Sequence, residues 1–164
     1  MRATAVVSAL VLASLSVSAQ QPAAQGQPAP TPKTAIYASA ADVAAAVAKM
    51  GGQVHGYQDI LKLAPYAVGV EHRTAVDMAN IHETEAEIYY IIDGTATVVT
   101  GGTLVDAKRT NPTNLSGSRI EGGSARNVAK GDIVFIPENV AHYWSAVHDV
   151  TYMSMHVPRP VPQK

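Results

Sequence analysis

The sequence contains no cysteine. A chain without thiols forms no disulfides, so its fold must rest on a packed core. A basic cluster is missing too. Lys and Arg number 12 against 13 Asp and Glu, a formal net charge of −1, which argues against nucleic acid or anionic lipid as a dedicated partner. No apolar run is long enough for stable membrane insertion as a helix. Also absent are a phosphate-binding glycine loop, a serine-hydrolase elbow and an HExxH zinc helix, which removes three widespread chemistries.

What is present is organised along the chain. Residues 1–19 pair Arg2 with an apolar run from Ala5 to Val17 and end in Val17-Ser18-Ala19. Charge, apolar run and small-residue exit in that order read as a secretory signal, with a mature chain starting at Gln20 and a periplasmic or secreted location. Residues 20–34 are rich in Pro, Gln and Ala and read as a flexible spacer. Residues 159–164 form a proline-rich tail, leaving 35–158 as the folded domain.

Within that domain one short helix is expected near the N-terminus, from Ala40 to Met50. Ser39 and Asp42 make an aspartate form of the capping box, and Gly51-Gly52 is the stop. Val43, Val47 and Met50 give a narrow apolar stripe, which places the helix on the outside. Thereafter come short β-type runs. These are Leu61–Arg73, Glu87–Ile92 before Asp93-Gly94, Thr95–Thr100 before Gly101-Gly102, then 128–136 and 150–157. The pattern argues for an all-β sandwich or barrel. Residues 103–127 are long for an inert loop and read as a lid or as edge strands with a long turn.

Two segments carry the candidate chemistry. The first is Asn80-Ile81-His82, four residues, Glu87, six residues, Gly94. The second is Gly131, five residues, Pro137-Glu138-Asn139, two residues, His142. Together they resemble the two motifs of the cupin superfamily, in its small single-domain form, over roughly residues 60–157. The resemblance implies a double-stranded β-helix, or jelly-roll barrel, that commonly dimerises. It also implies one divalent metal held by His82, Glu87 and His142. Asn139 stands where the family has a glycine, and asparagine also accepts a left-handed turn. Asn80 stands where the family has its first metal-binding histidine. Its amide oxygen either ligates weakly or faces elsewhere.

Two imidazoles and one carboxylate suit ferrous iron, manganese, zinc or nickel. A carboxylate opening the apolar run EIYYII is costly to bury without a partner, so Glu87 carries much of this reading. His72, on the preceding strand, is the other candidate for the fourth ligand position or for an acid–base role. Tyr89 shares the inward face of Glu87 with Ile91 and is a candidate proton or hydrogen-bond donor, whereas Tyr90 and Ile92 face the other way. If Met153, Met155 and Val157 face the core, His156 points oppositely, with at most a supporting role. Glu83 and Glu85 read as solvated neighbours. Arg73 and Arg126 are the available anchors for a carboxylate ligand.

Two functions fit. One is a small metal-dependent oxygenase, isomerase or lyase acting on a small organic acid, sugar derivative or phenolic. The other is a non-enzymatic small-molecule-binding cupin, with a structural metal or none. A small-molecule partner and a homodimer are expected in either case.

Overall fold

The structure, a computed structural model, describes residues 33–159. The signal at 1–19, and most of the spacer at 20–34 and of the tail at 159–164, lie outside the described residues.

Helix α1 (Ala40–Lys49) begins at Ser39, whose side chain accepts from the Asp42 backbone while the Asp42 carboxylate accepts from the Ser39 backbone. This is the capping box read from the sequence, and it satisfies two otherwise orphaned donors. Ala46 and Met50 bury against Val70, Ile60 and Ile92. The close fit needs Gly56, where a Cβ would stand 2.7 Å from the Met50 Cβ.

Eleven strands follow: β1 (His55–Leu63), β2 (Tyr66–Arg73), β3 (Ala79–His82), β4 (Glu85–Thr100), β5 (Thr103–Val105), β6 (Lys108–Asn111), β7 (Asn114–Gly117), β8 (Arg119–Glu121), β9 (Ser124–Ala129), β10 (Ile133–Ile136) and β11 (His142–Pro158). The antiparallel β4–β11 ladder runs from Glu85↔Pro158 to Thr100↔His142. Along a straight β4, Glu87 and Thr100 would stand about 40 Å apart, at about 3.3 Å per residue. His142 pairs with Thr100, yet its Nε2 lies 2.8 Å from Glu87 Oε2. The ladder is therefore folded double.

The bend falls at Gly94 (φ 75°) and Asp149 (φ 52°), where the register also shifts. A side chain at Gly94 would collide with the Asp149 carbonyl. Two wings result. In one, β1, β2, the far half of β11, the near half of β4 and β10 lie side by side. In the other, β6, β7, β3, the near half of β11, the far half of β4 and β9 do so. The main core, Tyr89, Ile91, Val150, Tyr152 and Ile136 against Val98, Val128 and Trp144, fills the space between them.

The expected jelly-roll barrel is corrected by this pairing. Among the described residues the sheets do not close. β1 pairs only with β2, β10 only with β4, β6 only with β7 and β9 only with β4, so each wing ends in open edges. Closure needs a ladder between these edge strands, and none forms. The connection at 103–127 is strand in large part, not a lid: β5 pairs with β8, and the β6–β7 hairpin continues onto β3.

Candidate metal centre

Glu87, Tyr89 and Ile91 alternate along the inner face of β4, and all three are buried, whereas Tyr90 is exposed on the outer face. His82 ends β3 and His142 opens β11. The turn between β10 and β11 is tied to His82: Asn139, left-handed at φ 63°, donates its backbone N–H to the His82 carbonyl at 2.8 Å. This turn sets His142 beside His82, with ring centroids 5.4 Å apart.

One ligand atom each from His82, Glu87 and His142 lies within 4.8 Å of the others. Glu87 Oε2 has His142 Nε2 at 2.8 Å and His82 Nε2 at 3.5 Å, and it accepts a hydrogen bond from the Tyr89 hydroxyl at 2.9 Å. Burial alone would raise the Glu87 carboxyl pKa. The hydrogen bond from His142 and the charges of His142, His82 and His156 outweigh it and hold the group down at about 2. Tyr89 is pushed well above its ordinary value, first by burial and then by the Glu87 charge, so it stays a neutral donor.

Two observations test whether this set fits a cation. His142 Nδ1 lies 2.9 Å from the Val140 carbonyl, which can only accept, so Nδ1 carries a proton. Nε2, 2.8 Å from Glu87 Oε2, donates a second proton to the carboxylate as the site stands, and without that proton it would turn a lone pair on it. Two electron-rich atoms that close need a positive centre, a proton or a metal, between them. The second is His82 Nδ1, a buried atom with no hydrogen-bond partner, since Glu85 Oε1 is 3.6 Å away. Such an orphan costs about 1–3 kcal/mol, and it means that no hydrogen bond to Nδ1 locks the ring against turning a nitrogen to a metal. The His/His/Glu cluster is geometrically consistent with coordination of a divalent metal.

The other expected residues are placed as follows. Asn80 lines the same cavity, but its amide oxygen accepts from Ser116 at 2.6 Å and its nitrogen donates to the Met78 carbonyl. His72 is not brought to the cluster. It sits on the opposite face of β2, with Nδ1 3.1 Å from Thr151 Oγ1 and Nε2 3.3 Å from Asp149. Arg73 does face the cavity, but its guanidinium is committed to Glu71, Asp77 and the Tyr152 hydroxyl. Burial raises the Glu71 carboxyl, but His55, Arg73 and Tyr152 outweigh it and leave it lowered. Arg126 lies on exposed β9 and does not line the cavity.

His156 and Glu85 stand nearer the cluster than the sequence pattern placed them. Ser154 and Tyr152 are fully buried and Met153 and Met155 only partly, so the far half of β11 turns the histidine face inward. His156 Nε2 stands 3.4 Å from Glu87 Oε1, and its Nδ1 is 3.1 Å from Glu85 Oε1. Glu83, by contrast, pairs with Arg109 at the surface.

The cavity holds about 320 Å³. Its lining includes the histidine–carboxylate cluster together with Val98, Tyr143 and Trp144. Arg73, Glu71 and His55 form a polar side.

No protein-family model and no curated protein matches the sequence. Solved structures do align. KdgF from Halomonas sp. is 17% identical, over 67% of this chain and 85% of its own, with a TM-score of 0.48. A predicted oxalate decarboxylase from Thermotoga maritima is 14% identical, over 63% and 80%, with a TM-score of 0.46. The Schizosaccharomyces pombe Cnp3 cupin domain is 14% identical, over 65% and 62%, with a TM-score of 0.45. Likeness of this degree does not carry function from one protein to another.

Proposed function

We propose that this chain is a metal-binding cupin that holds one divalent cation with His82, Glu87 and His142 and uses it on a small molecule in the adjoining cavity. The observation carrying this reading is the convergence of those three side chains within 4.8 Å from three different strands, with a carboxylate kept ionised although buried. When bound, such a cation supplies Lewis-acid polarisation of a ligand oxygen, which serves oxygenase, isomerase and lyase chemistry alike.

The chain's own residues define the rest. Tyr89 donates to Glu87 Oε2 and so leaves its other oxygen available. The Val140 carbonyl fixes the tautomer that presents His142 Nε2 inward. Trp144, Tyr143 and Val98 give the cavity an apolar wall, which excludes water from one side of a bound molecule. At about 320 Å³ the space suits a small metabolite and not a polymer.

Elemental analysis of the purified protein, with calorimetric titration of the apo form by zinc, manganese and ferrous iron, tests the reading. One metal per chain is expected. Full metal content retained in H82A, E87Q and H142A alike would overturn it. Export belongs to the same proposal, and N-terminal sequencing of native protein should begin near Gln20.

A further inference from the structure

We propose that His156, not Asn80, is the fourth side chain of the metal shell, and that Glu85 is the positioning residue that aims it. The inference rests on the metal reading above and goes beyond the three-residue cluster.

The register makes the first point. His156 and Glu87 are direct cross-strand partners in the β4–β11 ladder. Side chains of such a pair leave the sheet on the same face. That face is the inner one, because Ser154 and Tyr152, two and four residues before His156, are buried there.

The nitrogens make the second. Glu85 Oε1 lies 3.1 Å from His156 Nδ1. A carboxylate only accepts, so Nδ1 carries a proton, and Nε2 is the nitrogen left for a metal. Nε2 points toward Glu87 Oε1 at 3.4 Å, with the Ser154 hydroxyl 3.3 Å away. The other Glu87 oxygen, Oε2, already serves Tyr89, His142 and His82. His156 therefore approaches on the side of the carboxylate those three leave open. Its ring meets that of His82 edge-on at 5.8 Å.

Asn80 cannot compete on these terms. Its oxygen is neutral and already accepts the Ser116 hydroxyl at 2.6 Å. His156 lies outside the group whose atoms come within 4.8 Å, so binding must draw its ring inward. Glu85, an acceptor at the back of that ring, can follow the movement and hold Nδ1 as the donor, as carboxylates behind metal-bound histidines do. Three imidazoles and one carboxylate favour iron, cobalt, nickel, copper or zinc over magnesium or calcium. An octahedral ion held this way still has open positions for a small molecule.

The test uses the mature chain, stripped of metal, with cobalt(II) and copper(II) as probes. Calorimetry reads the cobalt dissociation constant. Pulsed electron paramagnetic resonance of the copper form counts coordinated imidazoles. The parent should show three imidazoles, H156A two, and N80A three with affinity unchanged. E85A should bind about 10- to 100-fold more weakly, with recovery in E85Q, which keeps an acceptor. H156A should bind more weakly than E85A. Circular dichroism of each apo variant checks folding, and His156→Asn replaces H156A if the latter does not fold. If the parent binds no cobalt, the metal reading itself fails. If the parent binds but H156A keeps the same imidazole count, with affinity unchanged or reduced, this inference alone fails and His156 is structural.

Discussion

Glu87 and His142 meet with Nε2 2.8 Å from Oε2, although the β4–β11 ladder places them at opposite ends of its length. The contact exists only because both strands bend, at Gly94 and at Asp149. Fold and site are thus one problem: whatever straightens the bend pulls the ligands apart.

Substituting Gly94 should show this coupling. Any Cβ there meets the Asp149 carbonyl, and φ is 75°. Gly94→Ala should lower the unfolding free energy by about 2–4 kcal/mol, the range for a strained backbone combined with a steric conflict. Chemical denaturation of the apo protein measures it. Metal affinity should fall as well, and unchanged affinity with full stability would show that the bend tolerates a side chain.

Among single ligand changes, His142→Ala should remove most bound metal, because it deletes a strand-anchored imidazole held by the Val140 carbonyl. His72→Ala should remove none, since that ring faces Thr151 and Asp149 on the other side of β2. Metal content after dialysis distinguishes them, and equal losses would place His72 in the shell.

How much of this the sequence made legible follows from the range of the forces involved. His82, Glu87 and His142 could be read because fixed offsets around a turn and a strand survive as spacing, and because a carboxylate in EIYYII needs a partner. The α1 cap was legible for the same local reason. His156 was not. Its inward direction depends on the register between β4 and β11, and the inner face near the site is polar, so hydrophobic alternation points the wrong way: Met155 faces outward beside Ile88 and Val68. Glu85 looked solvated because its partner lies 71 residues away in sequence. The open edges of β1, β6, β9 and β10 result from long-range pairing, which no local pattern encodes.

Tyr89→Phe isolates one hydrogen bond. The hydroxyl donates to Glu87 Oε2 at 2.9 Å within a ring cluster that Phe preserves, with Trp144 at 5.4 Å and Tyr152 at 4.9 Å. Packing should survive, while metal binding weakens by about 10- to 100-fold, the usual effect of removing a group that orients a ligand. Calorimetry checks this. Loss of fold instead of affinity would mean that the hydroxyl serves the core.

Glu71→Gln addresses the polar side of the cavity and gives a pH signature. Glu71 is buried, and Oε2 accepts from Arg73 Nη2 at 3.0 Å and from the Tyr152 hydroxyl at 2.8 Å, with His55 Nε2 at 3.5 Å. Burial raises its pKa, but these partners outweigh it, so the folded value lies below the ordinary 4.5. A carboxyl depressed in the folded state binds protons more readily once unfolded. Its stabilising contribution is complete above the ordinary value and is lost as pH falls from there toward the lowered one. The amide keeps the shape and removes the charge. At neutral pH the variant should be less stable by about 1.5–3 kcal/mol, the range for a hydrogen bond to a charged group. Below pH 4.5 the deficit should shrink, because the parent loses what the variant never had. Urea unfolding of the apo protein from pH 7 down through the acid limb measures both curves. Parallel curves would show that Glu71 is not held ionised by Arg73, and the polar side of the cavity would then carry a different charge from the one its geometry implies.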